Sequence, residues 1–502
     1  MAKKIMPIFV CLLFIPFLTV PALMDERYWF LQGSADMDFS ASNILSYGAS
    51  FQLPGRYMPL SGYLRSFHSY VGFETMTGFG IPLNIFEGIV HAFFLALMFL
   101  ALYWYLANHP IGLGDTAKFL ERKTAVQITF LTAFFFGGMA SIRWAHNGLV
   151  AYVPMTFLPI ITALFLATSA RRLLVKSKMH NNKSEILKLL SLAAITSLWA
   201  NLFYELAYIC VVLVVIICAQ EYVRSQDSKE RRISIYHLST YALAFLVYWI
   251  PMRIHLAKEC AQIECYEGSQ ISSEGLIQTF FLNLVNPLPL VGPYVDFRQN
   301  SFASELSSFT ILVIVTIVIG AAILTFMRLS EGRDSKGSGI DHDPFGKSLR
   351  TISHVIMGPI VIGFVSALLM SVSVRSQRLV ELGNPYRHTP ILWLAYSLIF
   401  STLFIWAFHR YSRYLMSVVM ALVSAIVVIQ QVSSVNNSLI LQRSTTTILK
   451  VYDEVIFPDY SKKGNERRCS LQENITKDAD VKSYVDSSTE YFTKVLDYPY
   501  CK

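Results

Sequence analysis

Charged residues are scarce in this chain. They make up 15% of its 502 residues, whereas hydrophobic residues make up 54% and the mean hydropathy is +0.45. Soluble globular domains are about a quarter charged, so a soluble domain is excluded as the main part of the chain. Apolar runs of about 18–20 residues, long enough to cross a bilayer as a helix, recur from end to end. The sequence therefore predicts an all-α polytopic membrane protein.

Several catalytic motifs are also missing. The sequence contains no P-loop, no Gly-rich dinucleotide fingerprint, no His-Glu-x-x-His and no Gly-x-Ser-x-Gly. Asp341-His342-Asp343 resembles a metal-binding triplet, but it lies in a charged loop, 328–350, where we expect it to be solvated. The net charge of +8 does not predict nucleic-acid binding, because the basic residues cluster in loops that we expect to be cytoplasmic.

We predict about eleven transmembrane helices. The run 5–23 follows two lysines and is long for a signal peptide, so we expect an uncleaved first helix rather than a removed leader. The apolar block 189–223 is too long for one helix, and we divide it near Asn201–Glu205. The spans are 5–23, 85–107, 125–142, 149–169, two within 189–223, 237–252, 306–327, 351–374, 390–408 and 414–434.

Loop charges orient these spans. Loops predicted to be inside are rich in Lys and Arg, as between Arg171 and Lys188, whereas outside loops of similar length hold few. The positive-inside rule then predicts an inside N-terminus, and eleven spans place the C-terminal tail outside. In this scheme residues 1–434 form a transmembrane domain with outside loops 24–84 and 253–305. Residues 435–502 form a small outside tail.

Cysteine is rare, with seven residues in the chain. Cys260 and Cys265 fall in the outside loop 253–305, Cys469 and Cys501 fall in the outside tail, and no inside loop contains a cysteine. An even number in each exported segment predicts two disulfides in an oxidising compartment. Of the three possible connectivities, the local pairs Cys260–Cys265 and Cys469–Cys501 are favoured.

The carboxylate pair Asp25-Glu26 is the main catalytic candidate. It follows the first span and is itself followed by the aromatics Tyr28, Trp29 and Phe30, which are typical of a membrane interface. A carboxylate at this depth is partly desolvated, which raises its pKa and improves it as a general base. The alternative is a solvated pair that ends a helix.

The rest of the loop 24–84 has mixed character. Its apolar stretches, 51–60 and 81–83, are too short to span, so we expect interfacial helices or a re-entrant lid. Arg56 follows a Pro-Gly turn. It is either a contact for a phosphate or saccharide, or an arginine that snorkels to lipid head groups.

Arginines in predicted outside positions form a second group of candidates. Arg143 departs from the positive-inside trend, so we expect it to pair with an acid such as Asp25 or to bind an anion. Guanidinium groups match phosphate oxygens in a bidentate manner, and ordinary anionic head groups are the alternative ligand. The outside loop 375–389 holds three arginines, Arg375, Arg378 and Arg387.

Two further acids lie near predicted outside ends of spans. Glu205 occupies the turn within the block 189–223, and acids so near a membrane usually face a cavity, so it is a candidate to line the site. Glu87 and His91 share a helix face at i, i+4, where a structural pair is favoured.

The layout resembles the GT-C class of membrane glycosyltransferases, which have many spans, an acid in the first outside loop and an outside tail. Asp25-Glu26 followed by aromatics is similar to the acidic motif of that loop. In the family this acid is the catalytic base or orients the acceptor, and the donor is a sugar on polyprenyl phosphate. Chain length, the inside N-terminus and the short tail are similar to the bacterial and phage O-antigen glucosyltransferases that change serotype.

This resemblance implies transfer of a hexose, such as glucose, from polyprenyl phosphate to a lipid-linked saccharide such as O-antigen. The enzyme would lie in the bacterial inner membrane with its site facing the periplasm. Asp25 or Glu26 would take the acceptor proton, and outside arginines would stabilise the departing lipid phosphate. Expected partners are the two lipid-linked substrates, membrane lipid, a donor synthase and a flippase. No cofactor is assigned, and the need for a divalent metal ion stays open.

Two other functions remain alternatives. An O-antigen polymerase would depend on its outside arginines more than on Asp25-Glu26. A lipid-linked saccharide flippase or transporter would carry charged residues at mid-membrane in several spans. Here the charges gather at the outer surface, which disfavours a transporter.

Overall fold

The computed structural model of the protein is an assembly of packed helices. In a bilayer every backbone N–H and C=O must be paired within the protein, so long apolar runs form helices. The structure describes residues 2–20, 57–111, 118–143, 148–149, 153–179, 183–203, 205–225, 227–266, 270–334, 349–384, 386–444, 451, 454–455, 458–475, 479–494 and 496–502.

The first half of the chain folds as consecutive helices with short connections. A two-residue antiparallel pair, β1 (Pro110–Ile111) with β2 (Lys118–Phe119), follows the helix Leu83–Ala107. The helices are α1 (Ala2–Leu12), α2 (Ile15–Leu18), α3 (Pro59–Phe79), α4 (Leu83–Ala107), α5 (Arg122–Met139), α6 (Val153–Met179), α7 (Lys183–Leu202), α8 (Tyr208–Arg224) and α9 (Ser228–Cys260).

The second half alternates long helices with short helices at one end of the assembly. Its helices are α10 (Leu276–Val285), α11 (Val291–Arg298), α12 (Ser308–Asp334), α13 (Leu349–Ser371), α14 (Val374–Leu379), α15 (Thr389–Arg410), α16 (Arg413–Ser444), α17 (Lys462–Ile475) and α18 (Ala479–Lys494). The helix α16 runs ten residues past the predicted span end at 434.

Eight of the described helices are long and apolar enough to cross a membrane, which confirms a helical multi-pass membrane protein. They correspond to eight of the eleven predicted spans. The other three predicted spans fall on α1 with α2, on α5 and on α13, which is apolar and whose fully described part, Val355–Ser371, is too short to be included among the eight. The total of eleven stays a prediction.

The division of the block 189–223 is confirmed. The helix α7 ends at Leu202, a single 3-10 turn covers Glu205–Ala207, and α8 begins at Tyr208.

The helix α3 differs from the prediction for the loop 24–84. We expected interfacial helices or a re-entrant lid at the stretches 51–60 and 81–83, of which 51–56 lie outside the described residues. Between them, Pro59–Phe79 is one helix of 21 residues that packs against α4, α6 and α7. Its serines Ser61, Ser66 and Ser69 are buried, and Ser61 donates to the backbone carbonyl of Phe203. Small polar residues allow helices to approach closely in membranes, so a hydropathy average does not detect this packing.

Both disulfides have the predicted local pairing, Cys260–Cys265 after α9 and Cys469–Cys501 between α17 and the C-terminus. We call the end of the assembly that carries them the disulfide end. In the tail, the fully buried Arg468 lies 3.4 Å from Glu454. A small core that includes Phe492 and Tyr500 of the tail packs against Leu83 and Phe86 at the start of α4.

At the opposite end, charged side chains form a compact network. Lys178 Nζ lies 3.3 Å from Glu221 and 3.4 Å from Glu230, and Arg224 Nη1 lies 2.9 Å from Glu221. These residues join the ends of α6, α8 and α9.

Candidate functional site

The short helix α11 is held in place at the disulfide end by two features of its first turn. Leu290, just before it, has a φ of 74°, and its N–H donates to Gln430 Oε1 on α16 at 3.2 Å. A Cβ on Gly292 would lie 2.6 Å from Ser141 Oγ, so only glycine fits there without a shift. The helix therefore sits tightly between the end of α5 and α16.

This position buries Asp296, which is 1% exposed. Its Oδ2 accepts hydrogen bonds from Asn437 Nδ2 at 2.9 Å and from Ser433 Oγ, and its Oδ1 lies 3.4 Å from Arg143 Nε. A buried carboxylate is costly unless it is paired and hydrogen-bonded. Asp296 meets both conditions and forms the centre of the candidate site.

Arg143 has the acidic partner that the sequence predicted, but this partner is Asp296. Its Nη2 donates to Gln299 Oε1 at 2.5 Å, whereas Nη1 has no hydrogen-bond partner among the described residues. Burial lowers the pKa of the Arg143 guanidinium, and the charge of Asp296 opposes this shift. The structure thus fixes Arg143 and leaves its buried Nη1 without a hydrogen-bond partner among the described residues.

The Nη1 group faces Gly383 in the loop between α14 and α15. Gly383 has a φ of +83°, and a Cβ there would lie 2.6 Å from Arg143 Nη1. Asn286 holds this loop: its Nδ2 donates to the carbonyls of Glu381 (2.9 Å) and Asn384 (3.3 Å), and its Oδ1 accepts from the Gly383 N–H (2.9 Å). The loop is therefore fixed against the Arg143 side chain.

A second close approach lies further along the same loop. The Arg387 carbonyl packs directly on Gly148, where a Cβ would collide with it. The loop between α14 and α15 therefore has two close contacts with the chain that follows α5. Gly383 packs against Arg143, and Arg387 packs against Gly148.

The three predicted arginines of this region have different surroundings. Arg375 stacks over Tyr266 at 5.0 Å, Arg378 is exposed, and Arg387 is half-buried with its guanidinium 5.8 Å from the Tyr386 ring. Arg387 lies in the loop that contacts Arg143, whereas Arg375 and Arg378 belong to the preceding helix α14.

Sequence reasoning missed His388, which directly precedes α15. It is 1% exposed, and neither ring nitrogen has a hydrogen-bond partner among the described residues. Burial lowers its pKa to about 3. A lone histidine in sequence carries no signal of this kind, because its burial depends on how the loop folds.

Asp296 also went unnoticed in the sequence, although a signal for it exists. It lies in the mostly apolar stretch 276–297, and an isolated acid of this kind was the reason for selecting Glu205. Its partners Ser433 and Asn437 belong to a run of polar residues at the end of the last span, which the prediction ended at 434.

Glu205 lies at the break between α7 and α8, on other elements than Asp296. It is half-buried and interacts electrostatically with Tyr208, whose hydroxyl is hydrogen-bonded by Arg253 of α9. This group is separate in the fold from the elements that hold Arg143.

Asp25, Glu26 and Arg56 lie outside the described residues. The chain leading to Asp25 can be followed to residue 20: Thr19 accepts a hydrogen bond at its carbonyl from Gln442 Nε2 at 3.0 Å. Gln442 is on α16, the helix whose Asn437 holds Asp296. The first span therefore ends at the disulfide end, near the candidate site.

Glu87 and His91 form the structural pair that the sequence favoured, with a third member from α3. Glu87 is fully buried, His68 Nε2 lies 3.3 Å from Oε1, and His91 Nε2 lies 3.9 Å from Oε2. His91 Nδ1 lies 3.2 Å from the Phe17 carbonyl, a geometry in which it donates. The pair thus fastens α2 and α3 to α4. Within the described ranges, no group of three or more His, Cys, Asp or Glu side chains is arranged to hold a metal ion.

An apolar groove of about 600 Å³ runs between α12 and α16. Beyond its last lining residue, Ile429, α16 continues into the polar residues that contact Asp296. The groove is lined by Ile319, Ala322, Ile323, Phe326, Met327, Ser417, Met420, Ala421, Ser424, Ala425, Val428 and Ile429.

Compared with known proteins, the chain matches no family model, and no curated protein or solved structure matches it either.

Proposed function

We propose that this protein transfers a hexose, glucose in the first instance, from polyprenyl phosphate to a lipid-linked saccharide such as O-antigen. The observation that carries the proposal is the arrangement of Arg143. It is paired with the buried Asp296, and its Nη1, which has no hydrogen-bond partner among the described residues, lies beside the loop that holds Arg387. Preorganised guanidinium groups stabilise charge that develops on a departing phosphate.

The proposed location is the bacterial inner membrane, with the disulfide end in the periplasm. Two observations support this orientation. The disulfides lie at the end that carries Arg143 and Asp296, as expected of an oxidising compartment. At the opposite end, basic residues such as Lys178 and Arg224 are concentrated, and the positive-inside rule assigns such an end to the cytoplasm.

The groove between α12 and α16 supports a donor with a long apolar tail. Its lining is almost wholly apolar. From Ile429 at the end of the groove to Asn437, which binds Asp296, α16 rises by about 12 Å at 1.5 Å per residue. A lipid whose chain occupied the groove would thus carry its phosphate towards the Asp296 cluster.

In the proposed reaction an acceptor hydroxyl oxygen bonds to the anomeric carbon of the donor sugar. The bond from that carbon to the phosphate oxygen breaks, and its electron pair stays on the phosphate. Asp25 or Glu26 takes the hydroxyl proton, and a single displacement inverts the anomeric configuration. Arg143 and Arg387 stabilise the phosphate, which accelerates the reaction only if they bind it more tightly in the transition state.

The first test compares membranes that contain the wild type with membranes that contain Asp25→Asn, Glu26→Gln at equal levels. The matched control is Glu264→Gln, Glu274→Gln, which removes two exposed acids at the disulfide end. All three membrane preparations receive radiolabelled polyprenyl-phosphate glucose and lipid-linked O-antigen. Loss of a true general base lowers the rate by about 10²–10⁴-fold, so we expect transfer by the wild type and the control only.

Two other outcomes would change the proposal. Transfer by all three proteins would retain the glycosyltransferase and assign the base elsewhere, with Glu205 the next candidate. No transfer by the wild type would contradict the proposed donor or acceptor. Growth of the acceptor by whole repeat units instead of single sugars would then favour the O-antigen polymerase, a function for which the fixed Arg143 and Arg387 are equally suited.

A further inference from the structure

The short helices α10 and α11 have their polar residues inside and their large apolar residues outside. On α10 the polar side chains Thr279 and Asn283 are buried, and on α11 the acid Asp296 is buried. A helix on a water-facing surface has the opposite arrangement. The large exposed side chains, each more than half exposed, are Ile277, Phe281, Tyr294 and Phe297.

These exposed residues form one apolar face on each helix. Ile277 and Phe281 are four residues apart, and Tyr294 and Phe297 are three residues apart, so each pair shares a helix face. Leu288, in the connection between the two helices, is exposed as well. Leaving side chains of this size in water instead of burying them costs about 1.5–3 kcal/mol each. The pattern therefore indicates an apolar medium over α10 and α11.

The depth of α11 in the membrane follows from α16, because Asp296 is hydrogen-bonded to Ser433 and Asn437 of that helix. The helix α16 begins at the other end of the assembly with the exposed residues Arg413 and Tyr414, which are typical of a membrane interface. At about 1.5 Å per residue, Ser433 and Asn437 lie about 30 and 36 Å from Arg413 along the helix. The hydrocarbon core of a bilayer is about 30 Å thick, so α11 lies at its far boundary.

The helix α13 gives the same depth for α10. Asn283 Nδ2 donates to the Ala367 carbonyl at 3.4 Å and to Ser371 Oγ at 2.9 Å, and both of these residues are on α13. They lie about 27 and 33 Å from Leu349, where α13 begins. The helices α10 and α11 are therefore both at the edge of the hydrocarbon core at the disulfide end.

The surroundings of the apolar face also favour lipid. The chain continues from α11 into α12, a candidate span whose first turns expose Phe309 and Leu312. The exposed Arg298 ends α11, and an arginine at this depth extends its guanidinium to the lipid head groups. The one acid between residues 275 and 304 is the buried Asp296, so no exposed carboxylate of this stretch repels an anionic head group.

We propose that α10 and α11 lie in the head-group layer of the membrane at the disulfide end, with their exposed apolar faces in contact with phospholipid. Amphipathic helices in this position bury their apolar face about 5–10 Å into the boundary between head groups and acyl chains. Sequence reasoning assigned 253–305 to an outside loop, because its apolar stretches are too short to span a bilayer.

This position has a consequence for the candidate site. Asp296 is on the buried side of α11, so the Arg143–Asp296 pair lies at the depth of lipid phosphates. The class of ligand that fits a site at this depth is a lipid with a polar head group. The inference does not depend on sugar transfer, and its test needs no substrate.

The experiment measures the surroundings of a nitroxide spin label on each helix. Ile277→Cys and Phe297→Cys are labelled separately in a Cys11→Ser background, because Cys11 is exposed whereas the free cysteines Cys210 and Cys218 are buried. The labelled proteins are reconstituted into vesicles of phosphatidylethanolamine and phosphatidylglycerol. Power saturation then compares collisions with oxygen, which concentrates in lipid, and with a water-soluble nickel chelate.

Two labelled control variants define the limits. Leu312→Cys, exposed on the candidate span α12, reports lipid, and Lys462→Cys, whose lysine is 90% exposed in the tail, reports water. We expect the labels on α10 and α11 to follow Leu312→Cys, with high oxygen collisions. Their nickel collisions should be about tenfold or more below those of Lys462→Cys, because transfer of a polar solute from water to an apolar layer is unfavourable. Because the two positions are on separate helices, either one alone provides the test if the other variant fails to fold.

Two results would overturn the proposal. Nickel collisions equal to those of Lys462→Cys would show that the face is in water. Low collisions with both reagents would show that protein covers it, and broadening of the spectrum by a second label nearby would identify that covering as a second copy of the chain.

Discussion

Arg143 Nε lies 3.4 Å from Asp296 Oδ1, and this contact joins the end of α5 to the short helix α11. Asp296 is 1% exposed and the Arg143 side chain is 9% exposed, so both charges are held away from water. Pairs of this kind add little net stability but are costly to break, because the remaining charge stays buried. Arg143 is therefore fixed in a single position at the disulfide end.

Asp296→Asn should destabilise the protein by about 3–5 kcal/mol, because it leaves Arg143 buried without a counter-ion. Thermal unfolding of purified protein measures the effect, with the exposed Asp486→Asn as the control. In the double variant Arg143→Gln, Asp296→Asn, part of the loss should be recovered, because no lone charge remains. Strictly additive losses would show that the two side chains do not interact.

Gly383→Ala should lower both stability and the proposed transfer activity. The backbone there has a φ of +83°, and the new Cβ would approach Arg143 Nη1 to 2.6 Å and Val295 Cγ2 to 2.8 Å. Strain at such a residue costs about 1–3 kcal/mol. Gly363→Ala, inside the helix α13 with only an ordinary contact at 3.8 Å, is the control. It should be neutral or stabilising by up to about 1 kcal/mol, and equal behaviour of the two variants would refute the strain.

Hydropathy and loop charge predict the helices well, because each span is a local property of about 20 residues. They correctly divided 189–223 at the break that contains Glu205. The helix α3 was missed because its most buried residues are small ones, such as Ser61, Ser66 and Ser69, rather than large apolar residues. Asp296 and His388 depend on contacts between distant parts of the chain, such as Asn437 with Asp296, which no local pattern encodes.

Stability should fall as the pH is lowered below about 6.5, in part through His388. Burial lowers its pKa to about 3 from an ordinary 6.5, so between these values the unfolded chain binds a proton that the folded protein does not. The free energy of unfolding therefore rises with pH across this window, by at most about 1.4 kcal/mol per pH unit, and is constant above it for this group.

The measurement is thermal unfolding of wild type, His388→Gln and His255→Gln at several pH values from about 4 to about 8. This range includes the ordinary imidazole pKa of about 6.5. His388→Gln should show a smaller decline below pH 6.5, and the exposed His255→Gln should follow the wild type. Parallel curves for all three proteins would mean that the pKa of His388 is the same in the folded and the unfolded protein, which would contradict the prediction.

The two disulfides should differ in what they contribute. Cys469–Cys501 closes a loop with a sequence separation of 32 residues and Cys260–Cys265 one of 5 residues. The chain-entropy model gives about 3–4 kcal/mol for the longer loop and about 2 kcal/mol for the shorter. Cys469→Ser, Cys501→Ser should expose the tail, whose core packs on Leu83 and Phe86, to proteolysis. Cys260→Ser, Cys265→Ser serves as the control and should leave the tail resistant; equal cleavage in both would contradict the prediction.

Ala425→Phe should weaken use of a long-chain donor and spare a short-chain one. Ala425 lines the apolar groove between α12 and α16, so a phenyl ring there reduces the space for a lipid chain. Leu422→Phe is the control, because Leu422 is exposed on the same helix without lining the groove. Loss of a few buried methylene contacts, at about 0.8 kcal/mol each, should raise the KM for the full-length polyprenyl donor about tenfold or more. A donor with a short, water-soluble prenyl chain should keep its KM, because it does not reach into the groove. If both donors lose activity equally, the substitution disturbs α16 and the Asp296 cluster instead, and if neither is affected the donor chain lies elsewhere.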